Sequence, residues 1–125
     1  MVTRADFDII PVRQTFNQTN VTSEFNFRIE PSAASISDSH GYVIMQVRSV
    51  GEGGTHSIEI NGREVGGDFD LKPAPGGSQA WLTWMFTFEV EQVRLRVGIN
   101  TFRITRGGND NFEVRDVVIN WRERE

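Results

Sequence analysis

No cysteine occurs in the chain. That absence excludes disulfide staples, thiolate metal sites and cysteine nucleophiles together. No apolar run approaches the roughly 20 residues that a membrane-crossing helix needs, so no membrane partner is expected. The opening segment, MVTRADFDIIPVRQ, carries two aspartates and no apolar stretch of signal-peptide length, which makes a cytoplasmic location the expectation. Lysine is nearly missing: Lys72 is the single one among 13 basic side chains. The others are arginines, whose planar forks pair with carboxylates and stack on aromatic rings. A net charge of −4 argues against nucleic acid as a partner, because such binding shows as a basic domain or stripe. The arginines from Arg94 to Arg124 are interleaved with Asp110, Glu113, Asp116, Glu123 and Glu125, a pattern that reads as a solvated mixed-charge surface.

Catalytic signatures are missing too. There is no Gly-x-Ser-x-Gly elbow and no phosphate loop. His40 and His56, far apart and without cysteines, do not make a zinc set. Glu59 and Glu89 fall on the outward parity of their strands, where solvation is expected rather than a glycosidase carboxylate pair. The chain is therefore expected not to be an enzyme. Two Asn-x-Thr triplets, starting at Asn17 and Asn20, read as turn chemistry in a chain without an export signal.

What remains is a succession of short alternating segments. At 125 residues they suit a single domain, 1–125, large enough for its own core. Phe7–Val12 is predicted as a first strand that ends near Pro11, a residue suited to an edge. Val21–Ile29 follows with Phe25, Phe27 and Ile29 on one face. Residues 31–41 read as a loop with room for a helical turn at 33–36. Tyr42–Val50 is nearly continuous in apolar residues, which predicts a central strand buried, or nearly so, on both faces. Ile58 and Ile60 point inward in His56–Asn61, Asn61-Gly62 is the strongest hairpin signal, and Arg63–Val65 is the return strand. In Ala80–Val90 one face holds Leu82, Trp84, Phe86, Phe88 and Val90, the other Trp81, Thr83, Met85 and Thr87. A connection over 93–100 leads to Asn100–Arg106, with Phe102 and Ile104 inward. The last strand, Phe112–Trp121, changes phase midway and requires a bulge near Arg115-Asp116. Sustained helical periodicity is absent. The pattern predicts an all-β protein, a two-sheet antiparallel β-sandwich of about eight strands with jelly-roll character.

The segments HSIEINGREVGG, LRVGINTFRI and VRDVVINW, with a Trp-containing strand between the first two, resemble the galactose-binding-like β-sandwich of many carbohydrate-binding modules. The likeness spans roughly Tyr42 to Trp121. It implies a jelly roll in which Gly62, Gly98 and Asn100 are turn residues rather than ligands, and it makes carbohydrate the first expected ligand.

Up-and-down strand directions bring the loops 51–55, 66–79 and 107–111, and the connection near 13–20, to one pole, where rigid sandwiches commonly bind. Trp81 is the candidate platform for the apolar side of a sugar ring, and His56, Asn109, Asp110 and Asn111 are candidates for its hydroxyls. Asp68, Asp70 and Asp110 offer the hard oxygen ligands of a candidate calcium site, without the spacing of a known acidic loop. The leading expectation is thus a non-enzymatic binding module with a carbohydrate or protein partner. The alternative is a structural or assembly subunit, part of a particle, filament or homo-oligomer, that uses its sandwich faces for protein contacts.

Overall fold

The computed structural model describes residues 3–30, 35–36, 40–49, 56–65, 81–107 and 111–124. These form nine strands, β1 (Thr3–Phe16), β2 (Thr22–Ile29), β3 (Ser35–Ile36), β4 (His40–Arg48), β5 (Ser57–Ile60), β6 (Arg63–Val65), β7 (Leu82–Glu89), β8 (Gly98–Thr105) and β9 (Phe112–Arg124), with one helical turn, α1 (Val90–Val93). A five-stranded sheet runs β1-β9-β4-β7, with β3 pairing to the end of β9, and a four-stranded sheet runs β2-β8-β5-β6. All pairings are antiparallel. The fold is the expected two-sheet β-sandwich.

The core is filled by the inward parity of each strand. Phe27 and Ile29 of β2, Phe102 and Ile104 of β8 and Ile58 and Ile60 of β5 face Val43, Met45 and Val47 of β4 and Val114, Val117, Ile119 and Trp121 of β9. Fully burying each such side chain contributes about 1.5–3 kcal/mol before chain entropy is counted. Asn61 and Gly62 close the β5–β6 hairpin at φ 51 and φ 77, the positive-φ pair that a two-residue turn of this kind requires.

The phase change in β9 has its predicted cause. Asp116 adopts φ 53, and the pairing with β4 shifts between Ile44 and Gln46. The pairing with β1 shifts between Ile10 and Arg13, so Pro11, which has no N–H to give, falls inside the irregularity of an edge strand. Val114 and Val117 therefore both point inward across the bulge.

Four expectations are corrected. β4 is central in its sheet but buried on one face only: Val43, Met45 and Val47 are buried, whereas Tyr42 is exposed and Ile44 and Gln46 are half-buried. Its apolar run does not imply a second cover, because Ile44 has apolar neighbours on its own face. Ser35–Ile36 pairs with Arg124 and Glu123 as a short strand rather than a helical turn. The connection after β7 holds α1, whose last turn ends at Arg94 in the left-handed region. Both β1 and β9 run longer than their apolar segments, because ladder hydrogen bonds continue where the side chains become polar.

Candidate functional site

The strand ends that bracket the predicted binding pole do lie together. Phe16 pairs with Phe112, Arg48 with Glu113, Val47 with Leu82, and Ser57 and Thr22 with the two sides of Thr105. Residues 51–55, 66–79 and 108–110 themselves lie outside the described residues, and with them Asp68, Asp70, Asn109 and Asp110. Trp81, His56 and Asn111 can be placed.

His56 is a core residue. It is 1% exposed, its Nδ1 accepts a hydrogen bond from the Gly107 N–H at 3.1 Å, and its ring packs on Phe112 at 4.3 Å between centroids. A buried ring with its nitrogen engaged by the backbone ties two strand ends together and offers nothing to a ligand. Asn111 is exposed and lines an open, polar pocket of about 490 Å³ with Asn17, Gln18, Thr19 and Arg106. Asn17 is a turn residue, as expected: its Oδ1 accepts from the N–H groups of Thr19 and Asn20, each at 2.9 Å. Asn20 donates through Nδ2 to the Thr15 carbonyl at 2.6 Å.

Trp81 is half-buried beside the last residue of β4. It is surrounded by cations. The guanidinium carbon of Arg115 lies 4.0 Å from its ring centroid, that of Arg48 4.7 Å and that of Arg13 5.6 Å. Sheet register explains the convergence. On the outer face of the five-stranded sheet Thr15, Glu113 and Arg48 form one cross-strand row, which Trp81 extends, and Arg13, Arg115 and Gln46 form the next. Arg48 Nε donates to Glu113 Oε2 at 2.6 Å, Arg13 Nη2 reaches the same oxygen at 3.4 Å, and Arg115 Nε donates to Gln46 Oε1 at 2.6 Å. The hydrogen bond from Arg48, with the positive charges of Arg48 and Arg13, outweighs partial burial and holds the Glu113 carboxyl below the usual carboxylate range. An indole ringed by guanidiniums and one carboxylate is a planar, polar surface rather than a bare aromatic shelf.

Parity and turn chemistry make Trp81 and Asn111 candidates in the sequence, and the structure places both at the same pole. Arg13, Gln46, Arg48, Glu113 and Arg115 were not singled out. Their outward parity could be read, but their convergence depends on the register of strands nearly a hundred residues apart.

The next row of the same face is apolar, and the one after it mixes apolar and polar side chains. Ile9, Val118, Ile44 and Met85 form one, and Phe7, Asn120, Tyr42 and Thr87 the other. Phe7 is 57% exposed, Ile9 49% and Met85 62%.

The sequence profile of a family of unknown function, DUF7383, matches residues 5–123. The chain belongs to that family. No curated protein matches the sequence. Among solved structures, this DUF7383 chain is similar to dimeric latent PorU from Porphyromonas gingivalis, with a TM-score of 0.63 and 14% identity over 98% of this chain and 13% of PorU. It thus spans only a small part of PorU. It is also similar to a family 35 carbohydrate-binding module from Clostridium thermocellum, with a TM-score of 0.55 and 15% identity over 95% of this chain and 98% of the module. The VP2 subviral particle of infectious bursal disease virus is a third, with a TM-score of 0.50 and 10% identity over 95% of this chain and 32% of VP2. At such identities the likeness shows the fold: a galactose-binding-like β-sandwich.

Proposed function

We propose that this protein is a non-enzymatic binding module whose ligand, a carbohydrate, docks at the pole that carries Trp81. One observation carries the reading: Trp81, Arg13, Arg48, Arg115, Gln46 and Glu113 converge on a rigid sheet face at that pole. A sugar presents an apolar face and a rim of hydroxyls. Planar indole and guanidinium groups suit the first, and Gln46, Glu113 and the arginine N–H groups suit the second. The open pocket of Asn111, Asn17 and Arg106 extends the polar surface at the same pole. The likeness to a family 35 carbohydrate-binding module supports the choice of ligand class. A glycan array probed with and without calcium tests it, the calcium arm covering Asp68, Asp70 and Asp110. At least one carbohydrate should bind, and Trp81→Ala should weaken it by about tenfold or more, the equivalent of one good aromatic contact, without changing the circular dichroism. An array blank in both arms overturns the reading.

A second reading is favoured by the apolar row of Ile9, Val118, Ile44 and Met85 on the outer face, with Phe7 beside it. Contiguous exposed apolar surface marks protein contact sites, and the protein would then be an assembly subunit. Light scattering separates the two: a larger species that Met85→Glu reduces to monomers supports assembly, and a monomeric wild type excludes it under those conditions.

A further inference from the structure

The end of the sandwich remote from Trp81 is built by the Asn61-Gly62 turn, α1 and the segment entering β8. Arg63, Arg94 and Arg96 line one pocket there, of about 330 Å³, together with Asn61 and Thr101. Among the described residues no carboxylate lines this pocket, and Arg63 and Arg94 have no ion-pair or hydrogen-bond partner for their side chains. Arg96 donates only to a backbone carbonyl, that of Ile99, at 3.1 Å. Four arginines elsewhere do have acids: Arg13 and Arg48 share Glu113, Arg28 faces Glu30, and Arg103 holds Glu59. Three cations with no acid among the described residues repel one another around one pocket, in a chain whose net charge is −4.

The backbone that carries them is fixed in advance. Asn100 is fully buried. Its Oδ1 accepts from the Arg96 N–H at 3.1 Å and from Asn61 Nδ2 at 2.9 Å, and its Nδ2 donates to the Arg96 carbonyl at 2.8 Å. Asn61 Nδ2 reaches the carbonyls of Val93 and Arg94 at 3.0 and 3.3 Å, and its Oδ1 accepts from the Thr101 N–H at 3.0 Å. Arg94 is set at φ 53, ψ 52, in the left-handed region. Two asparagines thus position Arg94 and Arg96 beside Arg63 without any ligand, which lowers the ordering cost of binding.

We propose that this pocket is an anion site, separate from the pole of Trp81, that takes a dianionic tetrahedral oxyanion, a sulfate or phosphate group. Guanidinium forks arriving from three chain positions offer more donors than the two oxygens of a carboxylate can accept, whereas a tetrahedral oxyanion has an oxygen for each. The proposal stands independently of the carbohydrate reading.

The test is an NMR titration of the arginine Nε–H signals of the whole protein with sodium sulfate, sodium phosphate and sodium acetate at constant ionic strength. Arg63, Arg94 and Arg96 should shift saturably with sulfate or phosphate and more weakly with acetate. Arg63→Gln should weaken sulfate binding by about tenfold, as expected for one charge-assisted hydrogen bond. Arg94→Gly should do the same, and because glycine suits the left-handed backbone its effect cannot be ascribed to misfolding. Trp81→Ala and Arg28→Gln should leave the titration unchanged. Equal, unsaturable shifts at all arginines, or undiminished binding in both Arg63→Gln and Arg94→Gly, overturns the proposal.

Discussion

The two ends of the sandwich use the same side chain in opposite ways. Near Trp81, Arg13 and Arg48 converge on Glu113 and, with Arg115, lie against an indole. At the other end Arg63, Arg94 and Arg96 gather without an acid among the described residues, and what is held there is the backbone, by Asn61 and Asn100. Arginine content therefore says little about binding capacity. For anions, what decides it is whether a carboxylate of the protein already takes up the charge of each guanidinium, as Glu113 does for Arg13 and Arg48.

The contrast can be broken from either end. Asn100→Ala should have the largest effect, a loss of about 3 kcal/mol in urea unfolding, because it opens a cavity, strands the N–H and carbonyl of Arg96 and removes one acceptor of the Asn61 amide. The sulfate-dependent shifts of Arg94 and Arg96 should vanish with it. Glu113→Gln should come next, at about 1 kcal/mol for a partly exposed ion pair. Its pH signature has a definite sign. The folded state holds the Glu113 carboxyl below its unfolded value, so the stabilisation is present above the ordinary carboxylate range and disappears as pH falls through the folded pKa. Wild type and variant should differ in Tm at neutral pH and converge in acid. The same variant leaves Arg13 and Arg48 without their acid, so sulfate should begin to shift their Nε–H signals. Arg28→Gln should have the smallest effect. Arg28 and Glu30 are 3.8 Å apart and both exposed, and thermal unfolding should show no resolvable change.

Much of this architecture can be read from residue order. Parity at Phe25, Phe27 and Ile29, the Asn61-Gly62 turn, and the phase change at Arg115-Asp116 each have a local physical cause, and each appears in the structure where the sequence puts it. Strand directions follow, and with them the convergence of the ends that bracket the Trp81 pole. Two kinds of feature are not readable in that way. The apolar run of β4 says nothing of whether a second layer covers it, so Ile44 and Tyr42 were expected inside. Lateral neighbours such as Arg13, Arg115 and Gln46 meet only through register, which the alternation of each strand leaves open. His56 shows a third limit: a polar residue next to a glycine-rich loop suggests a ligand, while its burial against Phe112 depends on tertiary packing.

The bulge at Asp116 also bears on what changes the chain can tolerate. Because Asp116 is the extra residue of the bulge, removing it would place Val117 directly after Arg115, and plain alternation would keep Val114, Val117, Ile119 and Trp121 facing the core; removing Val118 instead would send Ile119 and Trp121 into water and bring Asn120 and Arg122 under the core. Replacing Asp116 with glycine, at φ 53, would leave every side assignment intact. Residue number is thus specified strictly along the regular part of β9 and loosely at the bulge, so a single-codon deletion should be far more damaging at Val118 than at Asp116.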